Sequence, residues 1–416
     1  MATAQKQIIQ SPEERLQAEL QSKKLQLHWL LQITKAINYN FSTKQLLDVY
    51  EHVLTSQLKV GKLILFTHNG TWKNALMIGV NENFINYTAA TILNDLNASN
   101  NIENTSALWE KTFDLVTPVT HKDKTLAYGL IGGFADDDQH ARKELVSFIQ
   151  TITNLIVVAI ENNKMAAEQL KQAAMRKELE LAAQMQSLLF PPSLPSNERY
   201  EIHATYLPHQ EVGGDYYDYI PISDHEFAVC MADVSGKGIP AALLMANFQA
   251  NLHALIHHAH SLSELAHQLN TKVYASAKGE KFITFFIGIY NVHTQELQYF
   301  NAGHNPPFLV HSKVVYQLTE GCTGLGMFEQ LPFVNVGKLL IPDQALLLCY
   351  TDGVTELENE TGESFGEERL KSFLLKYLQS GNAAHIHTLL LETLNDFRQA
   401  KAHLDDVTLL SCRFMH

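Results

Sequence analysis

Asp233 stands in Met231-Ala232-Asp233-Val234-Ser235-Gly236-Lys237-Gly238, and three further segments carry an aspartate in the same kind of setting: Gly213-Gly214-Asp215, Tyr350-Thr351-Asp352-Gly353 and Asp405-Asp406-Val407-Thr408. The apolar, β-prone runs 227–231, 345–349 and 407–410 lie beside these acids. A carboxylate placed where a buried strand becomes a turn faces a cation more readily than bulk water. Acids so far apart in sequence can meet only if the fold gathers distant strand ends, and an all-oxygen donor set selects hard cations. The chemistry indicated is metal-assisted. Glycine suits these turns: Gly213 and Gly214 let the backbone bend tightly before Asp215, and Gly236 and Gly238 leave room after Asp233. Any one Asp-Gly or Gly-Gly pair alone is an ordinary turn signal.

Composition narrows the function. The chain has 416 residues, 46% hydrophobic and 18% charged, enough for two or three domains with substantial cores. A formal net charge of −13 without a dense Lys/Arg stripe argues against a general grip on nucleic acid. Residues 1–26 are polar and helix-prone, without the apolar core of a signal peptide, and no run of about 18 apolar residues predicts a membrane span. Cys230, Cys322, Cys349 and Cys412 show no CxxC spacing and read as buried, reduced thiols. The expected location is the cytoplasm.

The elements that must position the acids fall into four segments. Residues 1–24 form a helical or frayed lead-in. Residues 25–160 alternate helix and strand signals: Leu46, Leu47, Tyr50, Val53, Leu54 and Leu58 recur at helical spacing, and 62–67 with 75–80 read as strands around His68-Asn69-Gly70. A second strand pair, 115–119 and 126–134, surrounds His121-Lys122-Asp123-Lys124. This order of helix, strand pair, variable helical middle, strand pair and long helix resembles a GAF domain, which implies an antiparallel sheet with a ligand pocket; a dimerisation module without a ligand satisfies the same pattern. No cysteine for a tetrapyrrole and no cyclic-nucleotide signature is present.

Residues 161–194 form a helical linker. From 138 to 189 there is no Gly or Pro, and Ile156, Ile160, Asn163, Ala167, Leu170, Ala174, Lys177, Leu181, Gln184 and Leu188 follow steps of four and three. That is a heptad seam, weakened by its polar members, and it predicts a parallel homodimer; a single amphipathic helix packed on its own domain is the alternative. Phe190-Pro191-Pro192 ends the helix. Residues 195–416 are strand-rich with four helical stretches, an α+β domain.

The blocks Val212-Gly213-Gly214-Asp215-Tyr216-Tyr217-Asp218, Ala232-Asp233-Val234-Ser235-Gly236-Lys237-Gly238-Ile239-Pro240-Ala241-Ala242, Asn301-Ala302-Gly303-His304-Asn305-Pro306-Pro307, Tyr350-Thr351-Asp352-Gly353-Val354-Thr355-Glu356 and Asp405-Asp406-Val407-Thr408 resemble, in order, the PPM-type metal-dependent Ser/Thr phosphatases, and among them the bacterial stress-response and sporulation subgroup. The resemblance implies a sandwich of two antiparallel sheets flanked by helices, in α/β/β/α order. It implies two Mn²⁺ or Mg²⁺ ions, with Asp233 bridging both, the Val234 carbonyl on one, Asp352 and Asp405 completing the other, and Asp215 binding or orienting metal water. Two such ions can hold a hydroxide for in-line attack on phosphorus. Without metal, the crowded carboxylates would be loose or partly protonated. The implied substrate is a small phosphorylated anti-sigma-factor antagonist, with a small-molecule or protein signal acting at the N-terminal domain.

Two departures from the wider family stand out. Its eukaryotic members place a proton-donating histidine where this chain has Ser235, and hold phosphate with an arginine that has no counterpart ahead of Asp215, where the nearby basic residues are Arg199 and His209. Asp406 and Asp218 are weaker candidates; Asp406 follows Asp405 directly, and neighbouring side chains on a strand point to opposite faces, so the inward role is assigned to Asp405 by resemblance. His304 reads as a loop organiser. His253 and His257 have zinc-compatible spacing but no third ligand. The segment 178–191 resembles the subgroup's entry helix and reads as a plain linker or as a lever on Asp215 and Asp233. A degenerate phosphatase domain serving as a scaffold, and a hydrolase of small phosphorylated molecules, are the competing functions. No C-x₅-R loop begins at any cysteine, and Ser235-Gly236-Lys237-Gly238 lacks the spacing of a P-loop.

Overall fold

The computed structural model describes residues 12–80, 113–121, 124–134, 139–401 and 405–415. The chain divides into two compact units, Met1–Ala174 and Met175–His416. In the first, helices α1 (Pro12–Asn38) and α2 (Thr43–His52) precede strands β1 (Lys62–Asn69), β2 (Thr71–Ile78), β3 (Leu115–His121) and β4 (Lys124–Gly132). Ser42 starts α2 with a capping box: its hydroxyl accepts from the Gln45 amide while its own amide donates to Gln45 Oε1 at 2.9 Å. The strands form one antiparallel sheet in the order β2-β1-β4-β3. The variable middle predicted between the strand pairs lies outside the described residues.

Helix α3 (Gln139–Ser187) begins against this sheet, with Ile149, Ile152 and Ile156 in the same core as Leu46, Tyr50 and Leu63. The buried Tyr50 hydroxyl lies 2.6 Å from Thr153 Oγ1, tying α2 to α3. This packing takes up the start of the predicted heptad seam. Ile156 is buried in its own unit, and Asn163 Nδ2 donates to the Phe41 carbonyl at 3.1 Å. Further along, Leu170, Leu181 and Leu188 are exposed.

The second unit is a four-layer sandwich. One sheet runs β11 (Val314–Gln317), β10 (Phe308–His311), β14 (Leu346–Tyr350), β15 (Val407–Phe414), β5 (Tyr200–Leu207). The other runs β12 (Gly321–Cys322), β9 (Glu296–Ala302), β8 (Ile283–Asn291), β7 (Glu226–Val234), β6 (Tyr216–Pro221), with β13 (Gly337–Leu340) on β9. Period-two alternation explains why the strands read as unbroken apolar runs: both faces are covered. Phe227, Val229 and Met231 point inward to meet Leu347, Cys349, Leu410 and Cys412 of the facing sheet. Ala228, Cys230 and Ala232 point outward under helices α4 (Ile239–Ile256) and α5 (Leu262–Ala277), against Met245, Phe248 and Leu269. On the opposite side Leu346, Leu348 and Leu409 pack under α7 (Gly366–Tyr377) and α8 (Ala383–Arg398), through Leu370, Phe373 and Leu390. A one-turn helix, α6 (Asp352–Thr355), follows β14.

The four cysteines are buried free thiols. Within α3, residues Lys143–Ser187, and all of α4, Ile239–Ile256, are apolar enough by length and composition to cross a membrane. In α4 that character is used in the protein, because Met245, Phe248, Leu252 and Ile256 cover the sheet.

Candidate metal centre

The sandwich gathers strand ends from both sheets at one edge. Asp233 is the penultimate residue of β7, opposite Thr284 of β8, and Val234 ends the strand. Asp215 immediately precedes β6. Asp352 opens α6 directly after β14, and Asp405 and Asp406 lead into β15, beside β14. The register between β14 and β15 sets Tyr350 against Leu409, which brings the acids at those two strand ends to the same edge.

Asp215 is 2% exposed. The Thr408 hydroxyl donates to its Oδ2, and Thr351 adds a second hydrogen bond. Burial and the neighbouring Asp233 carboxylate nonetheless hold its pKa well above the usual range. Burial, then repulsion from Asp352, Asp405 and Asp406, pushes Asp233 up to about 7, although it shares a hydrogen bond with Asp215. Burial and Asp405 push Asp352 up to about 6. These shifts record anionic crowding, since each carboxylate disfavours ionisation of the next.

The loop before Asp215 is braced by Asp406. Its Oδ1 accepts from the His209 amide at 2.7 Å and its Oδ2 from the Gly214 amide at 3.1 Å. A Cβ on Gly213 would run into the Tyr206 hydroxyl and this same carboxylate, and one on Gly214 would sit 3.0 Å from the Val234 carbonyl. Glycine is needed here for close approach. The adjacent pair thus divides its work: Asp406 holds backbone, while Asp405 Oδ2 faces the cleft and meets Lys237 Nζ at 2.9 Å.

Among the described residues, no three His, Cys, Asp or Glu side chains already meet at one point at metal-ligand spacing. Asp233, Asp405 and Asp406 line a polar cleft together with Lys237 and the Gly213-Gly214 backbone. The donor set is nevertheless suited to hard divalent cations, which would cancel the mutual repulsion that raises Asp215, Asp233 and Asp352.

The other sequence candidates have local partners. Ser235 Oγ accepts from the Phe282 amide at 2.9 Å, and its carbonyl accepts from Lys281 Nζ at 2.8 Å, so this residue braces the loop after β7. His304 is buried, with Nδ1 2.9 Å from Thr284 Oγ1 and its amide donating to Asn301 Oδ1 at 2.7 Å, and burial pushes its pKa down to about 4. His253 Nε2 lies 2.6 Å from Asp218 Oδ2, which also accepts from the Tyr216 hydroxyl; this ties α4 to β6 away from the cleft. His209 lines the cleft and donates its amide to Asp406, and both His209 and Arg199 are exposed. Sequence reasoning assigned no role to Thr351, Thr408, Lys237 or Gln186. The first three lie inside the quoted blocks, one to three residues from a flagged Asp or four residues after one. Gln186 carries no such signal, although its side chain reaches Gly213.

Comparison with known proteins agrees with this architecture. The family model described as stage II sporulation protein E (SpoIIE) matches residues 223–415. Protein IcfG of Synechocystis sp. is 27% identical over 273 residues, covering 59% of this chain and 43% of that protein. Phosphoserine phosphatase RsbU of Bacillus subtilis is 29% identical over 244 residues, covering 58% of this chain and 71% of its own length. The chain thus spans less than half of IcfG. The SiaA-PP2C domain of Pseudomonas aeruginosa superposes with a TM-score of 0.52 at 19% identity, covering 59% of this chain and 98% of that domain, which establishes a shared fold. The C-terminal unit has the fold of a PP2C-type phosphatase domain. Residues 223–415 of that unit resemble the SpoIIE family.

Proposed function

We propose that this chain is a metal-dependent phosphoserine/phosphothreonine protein phosphatase acting in the cytoplasm, with Asp215, Asp233, the Val234 carbonyl, Asp352 and Asp405 as the residues that hold two Mn²⁺ or Mg²⁺ ions. The observation that supports this most directly is the ring of mutually repelling aspartates drawn from strand ends of both sheets. Bound divalent cations would supply an activated water and neutralise charge on the phosphoryl group. The protein's own part is placement. Thr408 and Thr351 fix the Asp215 carboxylate, Asp406 fixes the loop that carries it, and Lys281 and the Phe282 amide fix the loop after Asp233.

A phosphoprotein substrate suits this polar cleft, since sites that enclose a small molecule are mostly apolar. The relative RsbU is named a phosphoserine phosphatase. By the same resemblance, a small phosphorylated anti-sigma-factor antagonist is the expected substrate. We assign the N-terminal unit a GAF-like sensor role, with a homodimer forming along α3. The exposed Leu170 and Leu181 of α3, with Leu188 just after it, support that pairing. The deciding experiment is dephosphorylation of candidate antagonist phosphoproteins from the same genome, with Mn²⁺ or Mg²⁺ and with EDTA. Turnover that needs metal and stops with chelator is expected; full turnover in excess EDTA would overturn the reading.

A further inference from the structure

Lys237 is the one lysine or arginine among the described residues that line the cleft. It sits on the loop between Gly236 and Gly238, both at positive φ (92° and 72°), which turns the chain from β7 into α4. Its ammonium lies 2.9 Å from Asp405 Oδ2, on a side chain 48% exposed, so the contact is made at the solvent edge of the ring of acids. The other lysine of this loop region is used differently. Lys281 Nζ donates to the Ser235 carbonyl at 2.8 Å and stitches the loop to β8's approach.

Two physical consequences follow from that placement. An ammonium on Asp405 and a divalent cation on Asp405 draw on the same carboxylate, so each weakens the other's hold. A phosphate ester entering the cleft meets the negative charge of Asp233, Asp405 and Asp406 and needs a positive group beside the cations. A half-exposed lysine on a glycine-flanked loop can swing from carboxylate to phosphate at small cost, because an exposed ion pair is worth only about 0–1 kcal/mol.

We propose that Lys237 is the phosphate-binding cation of this site, paired with Asp405 until a divalent cation takes that carboxylate and then turned onto the phosphoryl oxygens of the substrate. The inference rests on the phosphatase reading above, and it gives the chain a cation in the role that the wider family assigns to an arginine without a counterpart here.

The test uses the full chain and two variants, K237Q and K237R, with Mn²⁺ and inorganic phosphate binding measured by calorimetry alongside kcat and KM on a phosphopeptide. K237Q should bind Mn²⁺ about two- to fivefold more tightly, the competing ion pair being gone. The Mn²⁺-loaded K237Q should bind inorganic phosphate about tenfold more weakly, with the loss falling mainly on KM, as expected when a charge-assisted hydrogen bond is removed. K237R, which keeps the charge, should recover most of the phosphate binding. Parental Mn²⁺ affinity in K237Q, or parental phosphate affinity, would overturn the proposal. Failure of the phosphatase reading has a different signature: a parental chain without metal-dependent turnover, whatever the variants bind.

Discussion

Gln186 and Gly213 exchange two hydrogen bonds: Gln186 Nε2 donates to the Gly213 carbonyl at 2.7 Å, and the Gly213 amide donates to Gln186 Oε1 at 3.2 Å. Gln186 lies in the last turn of α3, and Gly213 starts the tight turn into Asp215. The amide side chain thus satisfies both backbone polar groups of a buried glycine that tolerates no side chain of its own. Phe190 adds an aromatic contact to Tyr206, Tyr216 and Tyr217, with ring centroids 5.2, 6.1 and 4.9 Å away. A displacement of the end of α3 would therefore be felt at the backbone that carries Asp215.

Gln186→Leu should weaken Mn²⁺ binding and lower stability by about 1–3 kcal/mol, because both Gly213 groups lose buried partners. Calorimetric Mn²⁺ titration and urea unfolding check this. Parental Mn²⁺ affinity would mean that Asp406 alone holds the loop in place.

Asp233→Asn and Asp352→Asn should each lower phosphatase activity by several orders of magnitude while leaving the fold intact, since a carboxylate ligand is lost and mutual repulsion is relieved. Activity on p-nitrophenyl phosphate, with circular dichroism as the control for folding, reads this out. A folded variant at near-parental rate would show that its aspartate is not part of the centre.

His387 gives a pH dependence of defined sign. It is buried between the hydroxyls of Thr205 and Ser411, each 2.8 Å from a ring nitrogen, and burial, then the neighbouring His203, pushes its pKa down to about 3. The unfolded chain takes up this proton near the ordinary value of 6.5 and the folded one does not. The contribution to stability is therefore present above about pH 6.5 and is lost as pH falls toward 3, by about 1.4 kcal/mol per unit. Asp233 and Asp352, with raised pKa values, act in the opposite direction within the same window, so the difference between parent and variant is the quantity to read. His387→Gln should flatten the stability slope between pH 6.5 and 4.5 by about that amount in urea unfolding. An unchanged slope would show that His387 is protonated in the fold.

Truncation separates the end of α3 from the rest of the helix. The compact C-terminal unit starts at Met175, and Leu189 and Phe190 pack on the core beneath α4. A 175–416 fragment should keep the intrinsic Mn²⁺ affinity of the domain, whereas a 195–416 fragment should bind more weakly because it lacks Gln186 and Phe190. Any further difference between the 175–416 fragment and the full chain measures regulation by the N-terminal unit. Superimposable Mn²⁺ titrations for all three would remove support for coupling through this helix.

The aspartates were legible from sequence because each stands beside a strand-length apolar run, and their glycine neighbours signal turns that no other residue accommodates as easily. The sandwich was legible too, through family resemblance and through runs such as 227–232, whose alternate residues face different layers and are all buried. Local pattern could not divide the work between Asp405 and Asp406. Strand alternation separates their side chains, but which one braces a loop depends on where residues 209–214 pass, almost two hundred positions away. The heptad seam shows the same limit. Spacing alone treats Ile156, Asn163 and Leu170 as equivalent, yet the first two are taken up by the N-terminal unit's own core and by the Phe41 carbonyl, and only Leu170 remains exposed. Residue type and spacing determine which groups can face a cation or a partner. Which of them do is decided by long-range packing, because a side chain's partner, charge environment and exposure are set by segments that sequence proximity does not bring near it.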